Sequence, residues 1–196
     1  MRQRSLGFLF ALSAVAAGAQ AGVAWDEAVS GDLSDDRLLP TPLTFASGAN
    51  TVLGSFGGGG PTTDRDYFSF VVPAGSRLEA VMVNPGTGIS GGSSFFAMQT
   101  GSQITATPAG ANVGDLLAFG HYANDAIGTN LLAALLPGGA TSLSAGTYAV
   151  WVQETGGTVP FSFDFVITPV PEPAPALLLG IGLGALAWRH LRSARR

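Results

Sequence analysis

The stretch that decides the fold is VPFSFDFVIT, residues 159–168. Every second side chain from Phe161 to Ile167 is large and apolar, whereas Ser162 and Asp164 between them are polar. Successive side chains of a β-strand point to opposite faces, so this alternation is typical of a strand with one buried face. It predicts a β-sheet that covers a core on one side only.

Similar patterns recur along the chain. Residues 66–72 and 77–83 are two apolar-rich runs joined by the turn sequence PAGS (residues 73–76). In residues 146–154, Tyr148, Val150 and Val152 alternate with Ala149, Trp151 and Gln153, and residues 51–56, 94–99 and 116–122 are further candidate strands. Residues 22–168 are therefore predicted to form one all-β domain, an antiparallel β-sandwich of about seven to nine strands.

One segment departs from this pattern. Residues 131–136 place four leucines at helical spacing. Thr129 or Asn130 can cap the N-terminus of a helix there, and Pro137-Gly138 can end it. We expect one short helix in this segment.

The charges are unevenly distributed over the 196 residues. All nine basic residues are arginines, and only Arg37, Arg65 and Arg77 lie away from the two ends. From Gly22 to Pro173 these three arginines stand against thirteen acidic residues, a net charge of −10. Such a segment repels nucleic acid and anionic lipid, because binding phosphates requires Lys or Arg. The absence of cysteine excludes disulfides, thiolate catalysis and thiolate metal sites.

The first 21 residues have the layout of a signal peptide. Arg2 and Arg4 precede an apolar run, and the run ends at the small residues Ala19 and Ala21. We expect export through the secretion translocon and cleavage by signal peptidase after Ala21. An uncleaved N-terminal anchor is the alternative.

The C-terminal segment, residues 169–196, has the layout of a membrane stop signal. An uncharged apolar run, residues 174–188, is followed by the basic residues Arg189, Arg192, Arg195 and Arg196. Arginines after an apolar run favour a cytoplasmic end. The run reaches roughly 22 Å as a helix, short of the ~30 Å hydrocarbon core, and Trp188 and the arginines can compensate. A terminal helix buried in the domain is the alternative.

This order, which begins at Val170-Pro171-Glu172-Pro173, closely resembles the PEP-CTERM sorting signal. The resemblance implies recognition by an exosortase, a membrane-embedded cysteine protease or transpeptidase of exopolysaccharide-producing Gram-negative bacteria. It also implies a transient inner-membrane anchor, loss of the tail, and delivery to the cell surface or extracellular matrix. The motif is then an address that another enzyme recognises.

Two stretches of the body, DRDYFSFVVPAGSRL (residues 64–78) and LSAGTYAVWVQE (residues 143–154), resemble bacterial pre-peptidase C-terminal domains. Those domains are jelly-roll-like accessory modules of secreted proteins. The resemblance implies a non-catalytic role, and some such modules bind calcium or polymers.

Two glycine-rich patterns invite a catalytic interpretation. Residues 86–91 spell G-x-G-x-x-G, but a dinucleotide site needs a helix next, and the following residues have no helical period. Residues 88–92 match a G-x-S-x-G nucleophile elbow around Ser90, with Asp115 and His121 in the α/β-hydrolase order. Because the elbow needs a strand–turn–helix, we expect no catalytic residue. A small secreted hydrolase of matrix polysaccharide stays the rival hypothesis.

Acidic residues gather in two places. Asp64 and Asp66 precede or begin a predicted strand, and Asp32, Asp35 and Asp36 form an acidic loop. Calcium prefers several carboxylate and carbonyl oxygens, so Asp64 and Asp66 are candidate calcium ligands, with solvated loop acids as the alternative. Bound calcium would be its cofactor and would make the protein a calcium-dependent adhesion module.

The leading hypothesis is an exported, non-catalytic β-sandwich with a structural or binding role at the cell surface or in the exopolysaccharide matrix. Exopolysaccharide is a candidate partner. Exposed Trp25, Tyr122 or Trp151 could stack on sugars, although a place in the core is favoured for Trp151.

Overall fold

The computed structural model describes residues 22–58, 63–110 and 112–171, together with residues 179–180, 182–184, 188, 190, 192 and 193. Within residues 22–58, 63–110 and 112–171 the chain forms nine β-strands and two short α-helices. The strands are β1 (Gly22–Asp26), β2 (Thr41–Pro42), β3 (Gly48–Phe56), β4 (Arg65–Val72), β5 (Ser76–Val83), β6 (Ser94–Thr100), β7 (Ala118–Tyr122), β8 (Gly146–Gln153) and β9 (Val159–Pro169). The helices are α1 (Glu27–Ser30) and α2 (Leu131–Leu135).

The strands form two sheets with a common hydrophobic core. The four-stranded sheet has the order β1-β3-β9-β5, and the five-stranded sheet has the order β2-β4-β8-β6-β7. Side chains of both sheets contribute to one continuous buried cluster. The prediction of a mostly β protein is confirmed, and each predicted strand overlaps an observed one.

The prediction of a purely antiparallel sandwich is wrong, because each sheet is mixed. At one edge β1 pairs parallel with β3, and in the other sheet β2 pairs parallel with β4. Parallel neighbours need a long crossover connection. Residues 27–47 provide it for β1 and β3, since they leave β1, contribute β2 to the second sheet and return to begin β3. Residues 43–64, which include β3, provide it for β2 and β4.

Strand β9 lies at the centre of the core, as its alternation predicts. Phe161, Phe163, Phe165 and Ile167 are at most 2% exposed. The ring of Phe165 contacts the rings of Phe68 and Phe70 across the sandwich, with centroids 5.5 and 5.4 Å apart. Burial of each such ring stabilises the fold by roughly 2–3 kcal/mol relative to exposure.

The five-stranded sheet differs from the prediction, because it is covered on both faces. Tyr148, Val150 and Val152 of β8 face the main core, whereas Ala149 and Trp151 face the opposite side and are also buried. Residues from the connection between β6 and β7, including Ile104, Ala106 and Leu116, cover them there. Trp151 is therefore a core residue, as favoured from the sequence.

Helix α2 begins where the sequence indicates. Asn130 is its N-cap, since the Asn130 Oδ1 atom accepts hydrogen bonds from the backbone N–H groups of Leu132 and Val81, both at 3.0 Å. The cap thus ties the helix to β5. The helix ends at Leu135, and Pro137–Gly139 form a short 3₁₀ turn.

In the part of the chain that the structure describes, no helix is both long enough and apolar enough to cross a membrane. The described residues between 179 and 193 are helical, and the Arg192 guanidinium lies 5.1 Å from the centroid of the Trp188 ring.

Candidate metal centre

Five acidic side chains from three segments form a carboxylate cluster. Glu27 belongs to α1, Asp32 and Asp35 to the loop that follows it, and Asp64 and Asp66 to the start of β4. Carboxylate oxygens of Glu27, Asp32 and Asp66 lie within 4.8 Å of one another, and so do those of Asp32, Asp35 and Asp64. Asp32 is common to both groups, so the five carboxylates are contiguous.

Asp66 is the unusual member of the cluster. Its side chain lies on the same face of β4 as Phe68 and Phe70, and its exposed fraction is 0%. Among the described residues, neither carboxylate oxygen has an N–H or hydroxyl donor, and the group beside it is the Glu27 carboxyl, with which it can hydrogen-bond only by sharing a proton. An ionised carboxylate that is buried without a donor or a cation is strongly destabilising. The site therefore requires either a bound proton or a bound cation.

Glu27 is held in place by backbone donors. Its Oε1 atom accepts from the Leu33 N–H at 3.2 Å, and its Oε2 atom accepts from the Ser55 N–H at 2.8 Å. These bonds fix the carboxylate between the loop and β3. Gly54 makes this approach possible, because a Cβ atom at Gly54 would lie 2.5 Å from the Glu27 carboxylate.

The acidic loop is anchored to β4 by its backbone and by one side chain. The Tyr67 N–H donates to the Ser34 carbonyl at 2.9 Å, and the Arg65 N–H donates to Asp35 Oδ1 at 3.1 Å. These contacts bring Asp32 and Asp35 beside Asp64. The cluster is thus a consequence of how the N-terminal segment packs on β4.

The electrostatics of the cluster favour protonation when no cation is bound. Burial, followed by the nearby charges of Glu27, Asp64 and Asp32, raises the pKa of Asp66 far above its ordinary value. Burial and the charges of Asp32, Asp35 and Glu27 raise the pKa of Asp64 to about 6. Burial also raises the pKa of Glu27, against the lowering effect of its two backbone hydrogen bonds.

No basic side chain compensates these charges. Within the described ranges the one ion pair is Arg77–Glu79, which is remote from the cluster in sequence and exposed. The Arg65 guanidinium donates to Gln153 Oε1 and the Thr63 carbonyl, and Arg37 donates to the carbonyls of Ile104 and Thr105. Both arginines near the cluster in sequence therefore donate to neutral acceptors and pair with none of its carboxylates.

The spacing of the carboxylates fits calcium. Calcium binds oxygen ligands at about 2.3–2.6 Å, so two ligands on opposite sides of one ion are about 4.6–5.2 Å apart. The separations of up to 4.8 Å within each group satisfy this limit. Glu27 and Asp32 also line a cavity of about 670 Å³, which opens the cluster to solvent. The arrangement can therefore take up and hold a divalent cation.

The sequence-predicted ligands Asp64 and Asp66 are both in the cluster, and Asp32 and Asp35 of the acidic loop join them. Asp36 does not; its Oδ1 atom accepts from the Leu38 N–H at 2.8 Å. Sequence reasoning missed Glu27, because it forms no recognisable motif with the preceding Trp25 and Asp26. Its position five residues before Asp32, the first acid of the loop, was the only local signal.

The residues of the suspected hydrolase triad have separate partners. The Ser90 hydroxyl accepts from the Gly157 N–H at 2.8 Å, and Asp115 accepts from the Thr105 hydroxyl at 2.7 Å. The His121 ring packs edge-on against Phe95. No described hydrogen bond joins these three side chains. The G-x-G-x-x-G segment is followed by β6, a strand, rather than by a helix.

The predicted sorting residues are only partly described. Val170 is 44% exposed and its N–H donates to the Gly75 carbonyl at 2.7 Å, and Pro171 is exposed. Arg192 is also exposed. The other predicted residues lie outside the described ranges: Ala19, Ala21, Glu172, Pro173, Arg189, Arg195 and Arg196.

No protein-family model matches this chain, and no match is found among curated proteins. The fold and the site therefore define the class: a two-sheet β protein in which a buried aspartate, without a donor among the described residues, lies within 4.8 Å of two carboxylates in a cluster of five.

Proposed function

We propose that this protein is an exported, non-catalytic β-sandwich module that binds calcium through its carboxylate cluster and acts at the cell surface or in the extracellular matrix. The observation that carries the calcium part is Asp66, which is fully buried with no donor to either oxygen while other carboxylates approach it. A cation supplies the charge compensation that the described residues do not.

Calcium suits the donor set better than other metals. The candidate ligands are all carboxylates, and calcium takes 6–8 oxygen ligands in flexible geometry, whereas magnesium demands a near-ideal octahedron. The chain has no cysteine, and neither group of candidate ligands includes a histidine, which argues against zinc. Glu27, Asp32 and Asp35 would hold the ion from the N-terminal side, and Asp64 and Asp66 from β4.

The bound ion would act as a cross-link rather than as a catalyst. It would join α1 and the acidic loop to the start of β4, which are far apart in sequence. Calcium at millimolar concentration is typical outside cells, and extracellular modules bind it with Kd values of about 0.1–1 mM. The domain would therefore gain stability after export.

The test is calorimetric titration of the full chain with calcium after treatment with a chelator. We expect saturable binding with a Kd of about 0.1 mM, with magnesium and matched ionic strength as controls. If calcium binds no more tightly than magnesium, the proposed calcium site is refuted. The variant Asp125→Asn, which removes an exposed acid outside the cluster, should bind calcium like the wild type.

The proposal for targeting is supported by the sequence. Residues 1–21 would be the signal peptide, and residues 169–196 would be an exosortase-processed PEP-CTERM signal with a transient inner-membrane helix. Fractionation of the native host with and without its exosortase, with mass spectrometry of the C-terminus, tests it. An identical intact C-terminus on exported protein from both strains would contradict the proposal.

A further inference from the structure

A second cavity lies on the outer face of the five-stranded sheet, away from the carboxylate cluster. It has a volume of about 290 Å³, at the lower end of the range for small-molecule sites. Its floor is formed by β6, β7 and β8, and its wall by the connection between β6 and β7. None of the residues of the proposed calcium site lines it.

Aromatic rings dominate the floor of this cavity. The Phe95 ring lies 4.6 Å from the Trp151 ring and 5.5 Å from the His121 ring, between centroids. Phe119 stands beside them on the outer face of β7 and is 46% exposed. An exposed aromatic ring at the mouth of a pocket offers an apolar face on which a flat ligand surface can stack.

The polar groups of the cavity are an amide, hydroxyls and one histidine. Gln153 lies next to Phe95 in the sheet register, and its Oε1 atom accepts from Arg65 Nε at 2.8 Å. This bond sets the orientation of the amide, whose N–H₂ group donates to no described acceptor. The hydroxyl-bearing residues Thr107 and Thr155 and the exposed His121 also line the cavity. Such groups suit ligand hydroxyls, which both donate and accept.

The charge of the lining selects the class of ligand. None of the described lining residues is Asp, Glu, Lys or Arg, although the segment from Gly22 to Pro173 carries a net charge of −10. An acidic ligand would be repelled by that charge, and a cationic one would find no carboxylate here. A neutral ligand with apolar faces and a hydroxyl rim is complementary to the site.

We propose that this cavity binds a neutral saccharide, with one sugar ring stacked on Phe119 and its hydroxyls facing Gln153 and His121. The cavity does not depend on calcium, so an experiment that refutes saccharide binding leaves the proposed calcium site untouched, and the reverse also holds. It would give the module a direct contact with neutral polysaccharide outside the cell.

The test uses the indole N–H signal of Trp151 in ¹⁵N-labelled full chain, assigned with the variant Trp151→Phe. The three β-linked neutral disaccharides cellobiose, lactose and di-N-acetylchitobiose are titrated in the presence of a chelator. We expect at least one of them to shift this signal saturably. Phe119→Ala should weaken that affinity about fivefold to tenfold, and Phe119→Tyr should restore it to within about twofold.

The control variant is Val71→Ala, which removes an exposed apolar side chain from β4 of the same sheet, outside the cavity lining. It should bind like the wild type. The proposal is overturned if none of the three disaccharides gives a saturable shift, or if Phe119→Ala binds as well as the wild type. A stronger response to glucuronate or hexanoate than to the disaccharides would overturn the assignment to a neutral sugar.

Discussion

Replacing Asp66 with asparagine removes the one acid among the described residues that is fully buried without an N–H or hydroxyl donor. The substitution keeps the shape of the side chain but removes its ability to ionise. It therefore separates the two ways in which the site can be satisfied, a proton or a cation. The stabilisation expected from the substitution is largest without calcium and smaller with calcium.

Without calcium, the wild-type protein should become less stable as the pH rises. The folded-state pKa of Asp66 is raised, so its contribution to stability is fully present below the unfolded pKa of about 3.9 and is lost as the pH rises above that value. If Asp66 stays protonated at pH 7, the loss is about 1.4 kcal/mol per pH unit, or about 4 kcal/mol in total. Asp64, with its pKa raised to about 6, adds a smaller loss between pH 4 and 6.

Asp66→Asn should remove most of this pH dependence. In urea denaturation with a chelator, the variant should be more stable than the wild type at pH 7 by up to about 4 kcal/mol, and about equally stable at pH 4. With 1 mM calcium the wild type should gain about 1.4 kcal/mol for a Kd near 0.1 mM, and the variant should gain little.

The control for this experiment is Asp125→Asn, which removes the same charge from an exposed position. It should keep both the pH dependence and the calcium response of the wild type. Two results would refute the reasoning. In the first, the stability of the wild-type protein with chelator present stays constant or rises from pH 4 to 7. In the second, calcium stabilises the Asp66→Asn variant as much as the wild type.

Three further predictions concern other parts of the chain. Gly54→Ala should weaken calcium binding at least tenfold and destabilise the fold by about 1–3 kcal/mol, because the new Cβ atom would lie 2.5 Å from the Glu27 carboxylate and 2.6 Å from the Phe161 ring. Calorimetry measures the calcium affinity and urea denaturation measures the stability. An unchanged calcium affinity would contradict the role given to Gly54. Glu154→Gln should cost about 2–3 kcal/mol at pH 7, since burial would raise the pKa of Glu154 but hydrogen bonds from Gly156, Ser94, Ser90 and Thr155 lower it. This stability is present above the unfolded pKa of about 4.3 and is lost as the pH falls through the folded pKa, so the difference from wild type in urea denaturation should shrink below pH 4; a constant difference from pH 7 to 3 would argue against it. Replacing residues 171–173 with alanines should leave uncut protein in the inner-membrane fraction. Replacing Arg192, Arg195 and Arg196 with serines should instead let unprocessed protein leave the membrane. If the alanine variant is found outside the cell with its C-terminus trimmed, the Pro-Glu-Pro element is not the recognition site.

The strands and the helix cap were predictable from the sequence, because their signals are local. The alternation in residues 159–168 identified β9 and its buried face, since a strand's side chains alternate whatever its neighbours are. The leucine spacing identified α2 and limited its N-cap to Thr129 or Asn130, and the structure shows that Asn130 is the cap. The absence of cysteine excluded a thiolate metal site, and Asp64 and Asp66 could be named as candidate calcium ligands.

The carboxylate cluster and the mixed sheets were decided by the tertiary structure. Glu27 meets Asp66 because residues 27–47 leave β1, place β2 beside β4 in the other sheet and return to β3. Trp151 is buried on the outer face only because Ile104 and Leu116 fold over it. Such contacts depend on the path of the chain and the register between strands, and free energies of packing between distant segments determine both. Local periodicity does not encode these contacts. Individual acids of the site could therefore be predicted from the sequence, but their proximity in space could not.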